Sequence, residues 1–156
     1  MEPAERTLTS DIVVPATPEQ TWRMLTDFSN MVAASPELIA MAPIKRGGLR
    51  PGQWYLGLNR RGVVAWPTRN VISEVTPQRR LVWDTTTSGA RWTYELVAEG
   101  AGTRVTETRT VPNGLTRTTR LFGGLFLGGD KHADQLESDV STTLTNLRRL
   151  AEESAA

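Results

Sequence analysis

The pattern of apolar and polar residues differs between three consecutive stretches of the chain, and the first stretch predicts a strand followed by two short helices. Strand-like composition runs from Arg6 to Val14. A helix begins soon after it, because Thr17 is a favourable N-cap, Pro18 suits the first helical position and Gln20 completes a capping box. A second short helix is predicted from Phe28 to Ala34.

The middle stretch is a run of short strands separated by turn residues. The predicted strands are Pro43–Leu49, Gln53–Asn59, Trp66–Thr76, Arg79–Thr86, Arg91–Ala98 and Thr103–Val111. Turn sequences such as Arg50-Pro51-Gly52 leave connections that are too short for a parallel crossover. Successive strands are therefore antiparallel, and the six form a meander.

The last stretch has helical periodicity. One apolar stripe with spacings of 4, 4, 3 and 4 passes through Leu136, Val140, Leu144, Leu147 and Ala151. The order of elements predicts an α+β fold, in which a strongly curved antiparallel sheet of about seven strands wraps around a long C-terminal helix. Two short helices follow the first strand.

Composition and charge limit the classes of function. The 156 residues are expected to form a single domain, 1–156. Lys and Arg number 18 against 17 Asp and Glu, so the whole-chain charge gives no reason to expect nucleic acid or an acidic surface as partner. The first residues do not resemble a signal peptide, and no apolar run approaches the ~20 residues of a membrane span. We expect a cytoplasmic protein, monomer or homodimer, without stable membrane insertion.

Several kinds of reactive site have no residues to form them. The chain has no cysteine and one histidine, His132, which excludes thiolate chemistry and a multi-histidine metal site within one chain. Dinucleotide-binding, Walker-type and nucleophile-elbow glycine motifs are also absent. The sequence therefore predicts neither a metal nor a cofactor.

Local sequence carries a resemblance to a known family. The stretches concerned are Ile12 to Trp22, Asp27-Phe28, Gly57 to Gly62, Trp66-Pro67-Thr68, Pro77 to Trp83, Trp92 to Glu95 and Gly102 to Glu107. Together with the order of elements, they resemble the helix-grip fold of the START-like (SRPBCC) superfamily, and its polyketide cyclase/dehydrase branch in particular. The resemblance implies a cavity between sheet and C-terminal helix that holds a hydrophobic small molecule. It implies no fixed catalytic set.

The strand from Thr103 to Val111 holds the candidate catalytic residues. Val105 and Val111 indicate its inner face, and the same parity turns Glu107 and Arg109 inward. A hairpin around Gly100-Ala101 would then pair Tyr94 with Glu107 and Trp92 with Arg109. A shift of one residue would instead turn Glu107 and Arg109 to solvent.

Large aromatic and polar side chains share strand faces with one another, which suggests the lining of the implied cavity. The residues interpreted as ligand contacts on the strands are Trp66, Thr68, Asn70, Trp83, Trp92 and Tyr94. Trp22 and Trp54 are interpreted as ordinary core.

Two Gly-Gly pairs bracket apolar residues at 121–129. They predict a pliable flap over the cavity mouth with Phe122 and Phe126 as apolar plugs; a helical turn packed on the core and a membrane-touching loop are the alternatives. His132 and Leu136 lie four residues apart at the start of the last helix and are predicted to reach the same mouth. For His132, a capping or surface role is the alternative.

Two functions fit these features. One is binding of a polyketide- or lipid-like molecule for carriage, sensing or protection. The other is a cofactor-free polyketide cyclase, aromatase or dehydratase, with Arg109 or Arg69 stabilising an enolate oxygen and Glu107, Tyr94 or His132 moving the proton.

Overall fold

The computed structural model describes residues 6–117 and 130–155, with side chains for 6–117 and 138–154. Seven strands and three helices lie in this part of the chain. In order they are β1 (Leu8–Val14), α1 (Pro18–Thr26), α2 (Phe28–Ala34), β2 (Leu38–Pro43), β3 (Trp54–Arg61), β4 (Val64–Thr76), β5 (Arg80–Thr85), β6 (Ala90–Glu99), β7 (Gly102–Thr110) and α3 (Asp130–Ala155).

All seven strands form one antiparallel sheet in the order β1-β7-β6-β5-β4-β3-β2. Strands β2 to β7 are the predicted meander, each paired with the next along the chain. Strand β1 returns to pair with β7, so that Ile12 lies opposite Val105. The predicted α+β architecture is confirmed, with β1 and β2 as its two edges.

The short helices begin where the sequence predicts. The Gln20 amide donates to Thr17 Oγ1 at 3.2 Å and the Thr17 amide donates to Gln20 Oε1 at 3.1 Å, which completes the capping box of α1. Helix α2 begins at Phe28 because the Asp27 carboxylate accepts from the Ser29 amide at 3.1 Å. The two helices place Leu25 and Phe28 against the inner face of the sheet.

The prediction of a strand at Pro43–Leu49 is wrong. Strand β2 lies earlier, at Leu38–Pro43, and 44–53 connects it to β3. Gly47 has a φ of 115°, which favours glycine and interrupts an extended strand. The buried Gln53 amide then holds the loop by donating to the carbonyls of Lys45 at 2.7 Å and Gly48 at 3.1 Å.

The core lies between the inner face of the sheet and the three helices. The predicted apolar stripe of α3 is confirmed over its described part, since Val140, Leu144, Leu147 and Ala151 are all buried. Burying a leucine of this kind contributes about 1.5–3 kcal/mol. Helix α3 is fixed to α2 by a hydrogen bond of 2.9 Å from the Asn146 side chain to the Ala34 carbonyl. Among the described helices, none combines the length and the apolar character needed to cross a bilayer.

Candidate ligand-binding site on the concave face

The register of β6 and β7 places the candidate catalytic residues inside. Tyr94 lies opposite Glu107 and Trp92 opposite Arg109, as the sequence predicts for a hairpin at Gly100-Ala101. Glu107 is 2% exposed and Arg109 is 4% exposed. Of the two registers that the sequence allows, the one that turns both charged groups inward is confirmed.

Tyr94 and Glu107 form a buried hydrogen-bonded pair. The Tyr94 hydroxyl donates to Glu107 Oε1 at 2.7 Å and lies 3.6 Å from the sulfur of Met31. Glu107 Oε2 is buried and has no hydrogen-bond partner among the described residues. Burial raises the pKa of Glu107 to about 8, although the hydrogen bond from Tyr94 lowers it. Burial, together with the nearby Glu107, also raises the pKa of Tyr94.

The protonation state of Glu107 decides what its free oxygen can do. With a pKa of about 8, Glu107 is mostly neutral at pH 7. Because Oε1 already accepts the hydrogen bond from the Tyr94 hydroxyl, the carboxyl proton of Glu107 belongs on Oε2. The buried Oε2–H group can therefore donate a hydrogen bond, or a proton, to another oxygen.

Arg109 lies one inward position further along β7. Its guanidinium carbon is 6.0 Å from the ring centroid of Trp92, within the range of a cation–π contact. Burial lowers the pKa of Arg109 to about 10, against the charge of Glu37, which raises it. Arg109 therefore carries its positive charge at neutral pH while it lies buried on the concave face of the sheet.

An ionic bridge that sequence reasoning missed connects this region to α3. Arg61, at the end of β3, donates from Nε to Glu37 Oε1 at 2.7 Å and from Nη2 to Asp139 Oδ2. Burial alone would lower the pKa of Arg61, but Glu37 and Asp139 together raise it. The three residues are far apart in sequence, so no local motif signals the bridge.

Polar side chains form a row on the inner face of β3, β4 and β5. Thr85 Oγ1 donates to Asn70 Oδ1 at 2.7 Å, and Asn59 Nδ2 donates to Thr68 Oγ1 at 3.1 Å. The sequence predicts Thr68 and Asn70 as ligand contacts, and that role stays a prediction. It does not single out Asn59 or Thr85. Trp66 shares their parity on β4 and is half-buried.

The inward aromatic residues near Glu107 are packed together. The rings of Trp83 and Tyr94 are stacked with centroids 5.3 Å apart, and Phe28 meets Trp83 edge-on at 6.0 Å. Both Trp83 and Tyr94 belong to the contiguous core cluster. Their contact with a ligand stays a prediction.

Two expectations from the sequence are wrong. Trp54 is not ordinary core, because it lies half-buried on the outer face, with Lys45 and Arg69 each 5.0 Å from its ring centroid. Arg69 shares that outer face and donates to Thr86 Oγ1 at 2.7 Å. It therefore does not reach an oxygen atom on the concave side. The parity of β4 separates Arg69 from Asn70.

The remaining predicted ligand contacts lie in or next to the part of the chain that the structure does not describe. Phe122 and Phe126 lie outside the described residues. His132 and Leu136 lie within α3, but their side chains are not described. A surface groove of about 620 Å³ lies elsewhere, between Pro18 and the hairpin of β4 and β5, and includes the outward Glu95 and Val97. It is not the cavity implied between sheet and helix, which stays a prediction.

Solved structures share the whole fold at low sequence identity. The protein TTHA0849 from Thermus thermophilus is 20% identical with a TM-score of 0.70, over 97% of this chain and 100% of that one. The Polyketide_cyc-like protein Cgl2372 from Corynebacterium glutamicum is 21% identical with a TM-score of 0.67, over 96% and 93%. The di-domain ARO/CYC protein StfQ from the steffimycin biosynthetic pathway is 14% identical with a TM-score of 0.71; 96% of this chain covers 51% of that one.

The family itself is identified by a match over nearly the full length. No curated protein matches the chain significantly. The family model described as polyketide cyclase / dehydrase and lipid transport matches residues 5–152, in agreement with the resemblance carried by the local sequence. The chain therefore belongs to the polyketide cyclase/dehydrase and lipid transport family.

Proposed function

We propose that this protein binds a hydrophobic small molecule, polyketide- or lipid-like, on the concave side of the sheet beneath α3. Glu107 and Tyr94 would recognise an oxygen atom of that molecule. The observation that carries the proposal is the buried Oε2 of Glu107, which lacks a hydrogen-bond partner among the described residues while Oε1 is held by Tyr94.

Burial of a polar atom without a hydrogen-bond partner costs free energy. An unsatisfied buried donor or acceptor costs about 1–3 kcal/mol, and such groups are rare in folded proteins. A glutamine or leucine at position 107 would avoid a buried titratable group. A ligand oxygen that accepts from Oε2–H would remove the cost when it binds.

The surroundings indicate the chemistry of the ligand. Glu107 and Tyr94 lie beside aromatic and aliphatic core residues, among them Trp83 and Leu81. A ligand that reaches them has to be largely apolar there and to carry a carbonyl or hydroxyl oxygen. The row of Asn70 and Thr85 further along the inner face would suit a second oxygen. Lipids and polyketides both have this character, and the neighbouring ARO/CYC fold of StfQ supports the polyketide class.

The binding proposal is tested with defined probes. Native mass spectrometry of freshly purified protein looks for a retained small molecule, and fluorescence titration measures binding of cis-parinaric acid and of a hydroxyanthraquinone. We expect Glu107→Leu to weaken binding of at least one probe by about tenfold, because it removes the buried donor. Glu95→Gln is the matched control, since Glu95 is exposed on the opposite face of the paired strand. No retained molecule and no binding of either probe would overturn the proposal.

A catalytic role is the second candidate, favoured by the raised pKa of Glu107. A neutral carboxyl at pH 7 is a suitable general acid. In one concerted elimination, Oε2–H would protonate the hydroxyl that leaves a β-hydroxyketone while the carboxylate that develops takes a proton from the carbon between the two groups. One water is eliminated and Glu107 is restored. The cationic Arg109 would stabilise the enolate oxygen that forms.

Turnover separates the two candidates. An enzyme would convert a linear β-hydroxyketone thioester, and Glu107→Gln would abolish conversion while the probes still bind. Conversion should also fall as the pH rises through about 8, where Glu107 loses its proton. Unchanged turnover in Glu107→Gln would exclude Glu107 from the chemistry and leave the binding proposal intact.

A further inference from the structure

Charge is segregated along the chain, although the whole-chain balance conceals it. Residues 38–73, which cover β2, β3 and most of β4, contain six basic residues and no Asp or Glu. The formal net charge of the whole protein is only +1, so the rest of the chain is acidic on balance. These three strands form one end of the sheet.

The same stretch, 38–73, holds most of the exposed large aliphatic residues among the described part of the chain. Leu56 is 51% exposed, Leu58 is 40% and Ile44 is 52%. The outer face of β3 alternates Trp54, Leu56, Leu58 and Arg60, and register places alanines of β2 and Pro67 of β4 beside the leucines. We call this surface the basic-apolar face and define it by Ile44, Lys45, Trp54, Leu56, Leu58, Arg60 and Arg69.

Its positive charges are available for a partner. Lys45, Arg60 and Arg69 form no ion pair with any residue in 6–117 or 138–154; Arg60 donates to the Gly62 carbonyl and Arg69 to a threonine hydroxyl. Arg46 and Arg50 in the adjoining loop are also exposed. On the outer face of the neighbouring strand β5, Asp84 is held by Arg91 at 2.7 Å.

Few partners match this combination. Exposed aliphatic side chains cost free energy in water unless they are covered, and a contiguous apolar surface marks an interaction site. Cations without carboxylates attract an anionic surface. A tryptophan with cationic neighbours is typical of the boundary between hydrocarbon and headgroups. Single-stranded nucleic acid would need stacking platforms, whereas this face offers leucine, isoleucine and a single indole.

We propose that the basic-apolar face docks reversibly on an anionic lipid bilayer, with Ile44, Leu56 and Leu58 in contact with the headgroup boundary and Lys45, Arg60 and Arg69 bound to lipid phosphates. Docking of this kind is peripheral and salt-sensitive. It is independent of the ligand proposed above, because it uses the opposite face of the sheet.

The test is sedimentation with vesicles, using the full chain. Vesicles of phosphatidylcholine with 30% phosphatidylglycerol should bind the protein at low salt, whereas vesicles of phosphatidylcholine alone should not. Replacing two cations, as in Lys45→Gln/Arg69→Gln, should lower partitioning by about tenfold or more. Leu56→Ser/Leu58→Ser should lower it by about tenfold through lost apolar contact.

Matched controls lie on the same sheet. Val97→Ser removes an exposed aliphatic side chain, 64% exposed, that stands between Glu95 and Glu99 on the outer face of β6. Arg79→Gln removes an exposed charge outside the basic-apolar face. Both should bind vesicles as the unaltered protein does. Circular dichroism and urea unfolding check folding, and Lys45→Gln/Arg69→Gln carries the test if Leu56→Ser/Leu58→Ser does not fold.

Three results would overturn the proposal. These are no sedimentation with anionic vesicles, equal sedimentation with neutral ones, and equal loss in Val97→Ser or Arg79→Gln. Sedimentation velocity without lipid adds a fourth. If the protein is a dimer that Leu56→Ser/Leu58→Ser converts to monomer, the face joins two copies of this chain and the bilayer is the wrong partner.

Discussion

Tyr94 and Glu107 face each other across the β6–β7 ladder and share one hydrogen bond, 2.7 Å from the tyrosine hydroxyl to Glu107 Oε1. The second carboxyl oxygen, Oε2, is buried without a partner among the described residues. Because burial outweighs the hydrogen bond, the folded state favours the neutral acid. This one pair therefore links the stability of the fold to pH.

The first prediction is that stability falls between about pH 5 and pH 8. In the unfolded chain Glu107 titrates near 4.5, and in the folded chain its pKa is about 8. Above 4.5 the unfolded state loses its proton while the folded state keeps it, so the free energy of unfolding drops by up to about 1.4 kcal/mol per pH unit. The stabilising contribution of the neutral Glu107 is complete below pH 4.5, its pKa in the unfolded chain. It is lost once the pH passes about 8, its pKa in the folded chain. Urea unfolding at pH 5, 7 and 9 measures it.

Glu107→Gln provides the comparison, because glutamine has a similar shape and does not titrate. The difference in unfolding free energy between this variant and the unaltered protein should move in favour of the variant as pH rises. Glu95→Gln, at an exposed position, should show no such trend. A constant difference between Glu107→Gln and the unaltered protein across this pH range would refute the assigned protonation state.

A second prediction concerns the hydroxyl of Tyr94. Tyr94→Phe keeps the ring that stacks on Trp83 at 5.3 Å but removes the donor to Glu107. We expect the protein to lose about 1–2 kcal/mol of stability, since Oε1 loses its donor and is left buried without that hydrogen bond. The pKa of Glu107 should rise further in this variant, because the hydrogen bond from Tyr94 lowers that pKa in the unaltered protein. The Glu107 carboxyl carbon shift in an NMR titration reports this directly, and a downward shift of the midpoint would contradict it.

The sequence was sufficient to predict the architecture because each element carries a local signal. The capping box from Thr17 to Gln20 and the apolar stripe through Leu144 and Leu147 are readable without tertiary contacts. The β6–β7 register also follows from one turn, since Gly100-Ala101 fixes every pair beyond it. The exception is β2, where a glycine-containing loop follows an apolar run. The strand predicted at Pro43–Leu49 lies instead at Leu38–Pro43.

The parts of the candidate site that depend on distant contacts were not predictable. Arg61 meets Asp139 across 78 positions of sequence, and nothing local distinguishes it from the neighbouring Arg60. Whole-chain charge likewise concealed the segregation that produces the basic-apolar face. Arg69 is a different case, because strand alternation alone places it on the face opposite to Thr68 and Asn70, so its assignment to the concave side was inconsistent with theirs.

The ionic bridge leads to the third prediction. Asp139→Asn removes one of the two carboxylates that hold Arg61, whose side chain is 25% exposed. We expect a loss of about 1–2 kcal/mol, because the pair is more buried than a surface ion pair and leaves Arg61 partly uncompensated. Glu152→Gln is the control: its partner Arg148 is half exposed, and its loss should cost no more than about 0.5 kcal/mol. Equal costs in the two variants, measured by urea unfolding, would show that the bridge does not hold α3.

The fourth prediction concerns Gly57, whose missing side chain leaves room for the inner polar row. A Cβ atom at this position would lie 2.5 Å from Thr68 Oγ1 and 3.2 Å from Asn70 Nδ2. Gly57→Ala should therefore destabilise the protein by about 1–3 kcal/mol, since the Thr68 hydroxyl has to move and its bond from Asn59 is strained. Thermal and urea unfolding measure the loss.

A double-mutant cycle identifies the clash as the cause. Thr68→Ala removes the hydroxyl that the new methyl group would meet, at the expense of the hydrogen bond from Asn59. If crowding against that hydroxyl is the reason, Gly57→Ala combined with Thr68→Ala should be more stable than the sum of the single effects, by about 1 kcal/mol or more. Strict additivity would mean that Gly57 is required for another reason, such as the approach of β2, where Leu38 Cδ1 would lie 3.3 Å from the same Cβ. The cycle thus distinguishes two reasons for a glycine at position 57. Either the polar side chain of Thr68 occupies the space of a Cβ atom, or the side chain of Leu38 on β2 does.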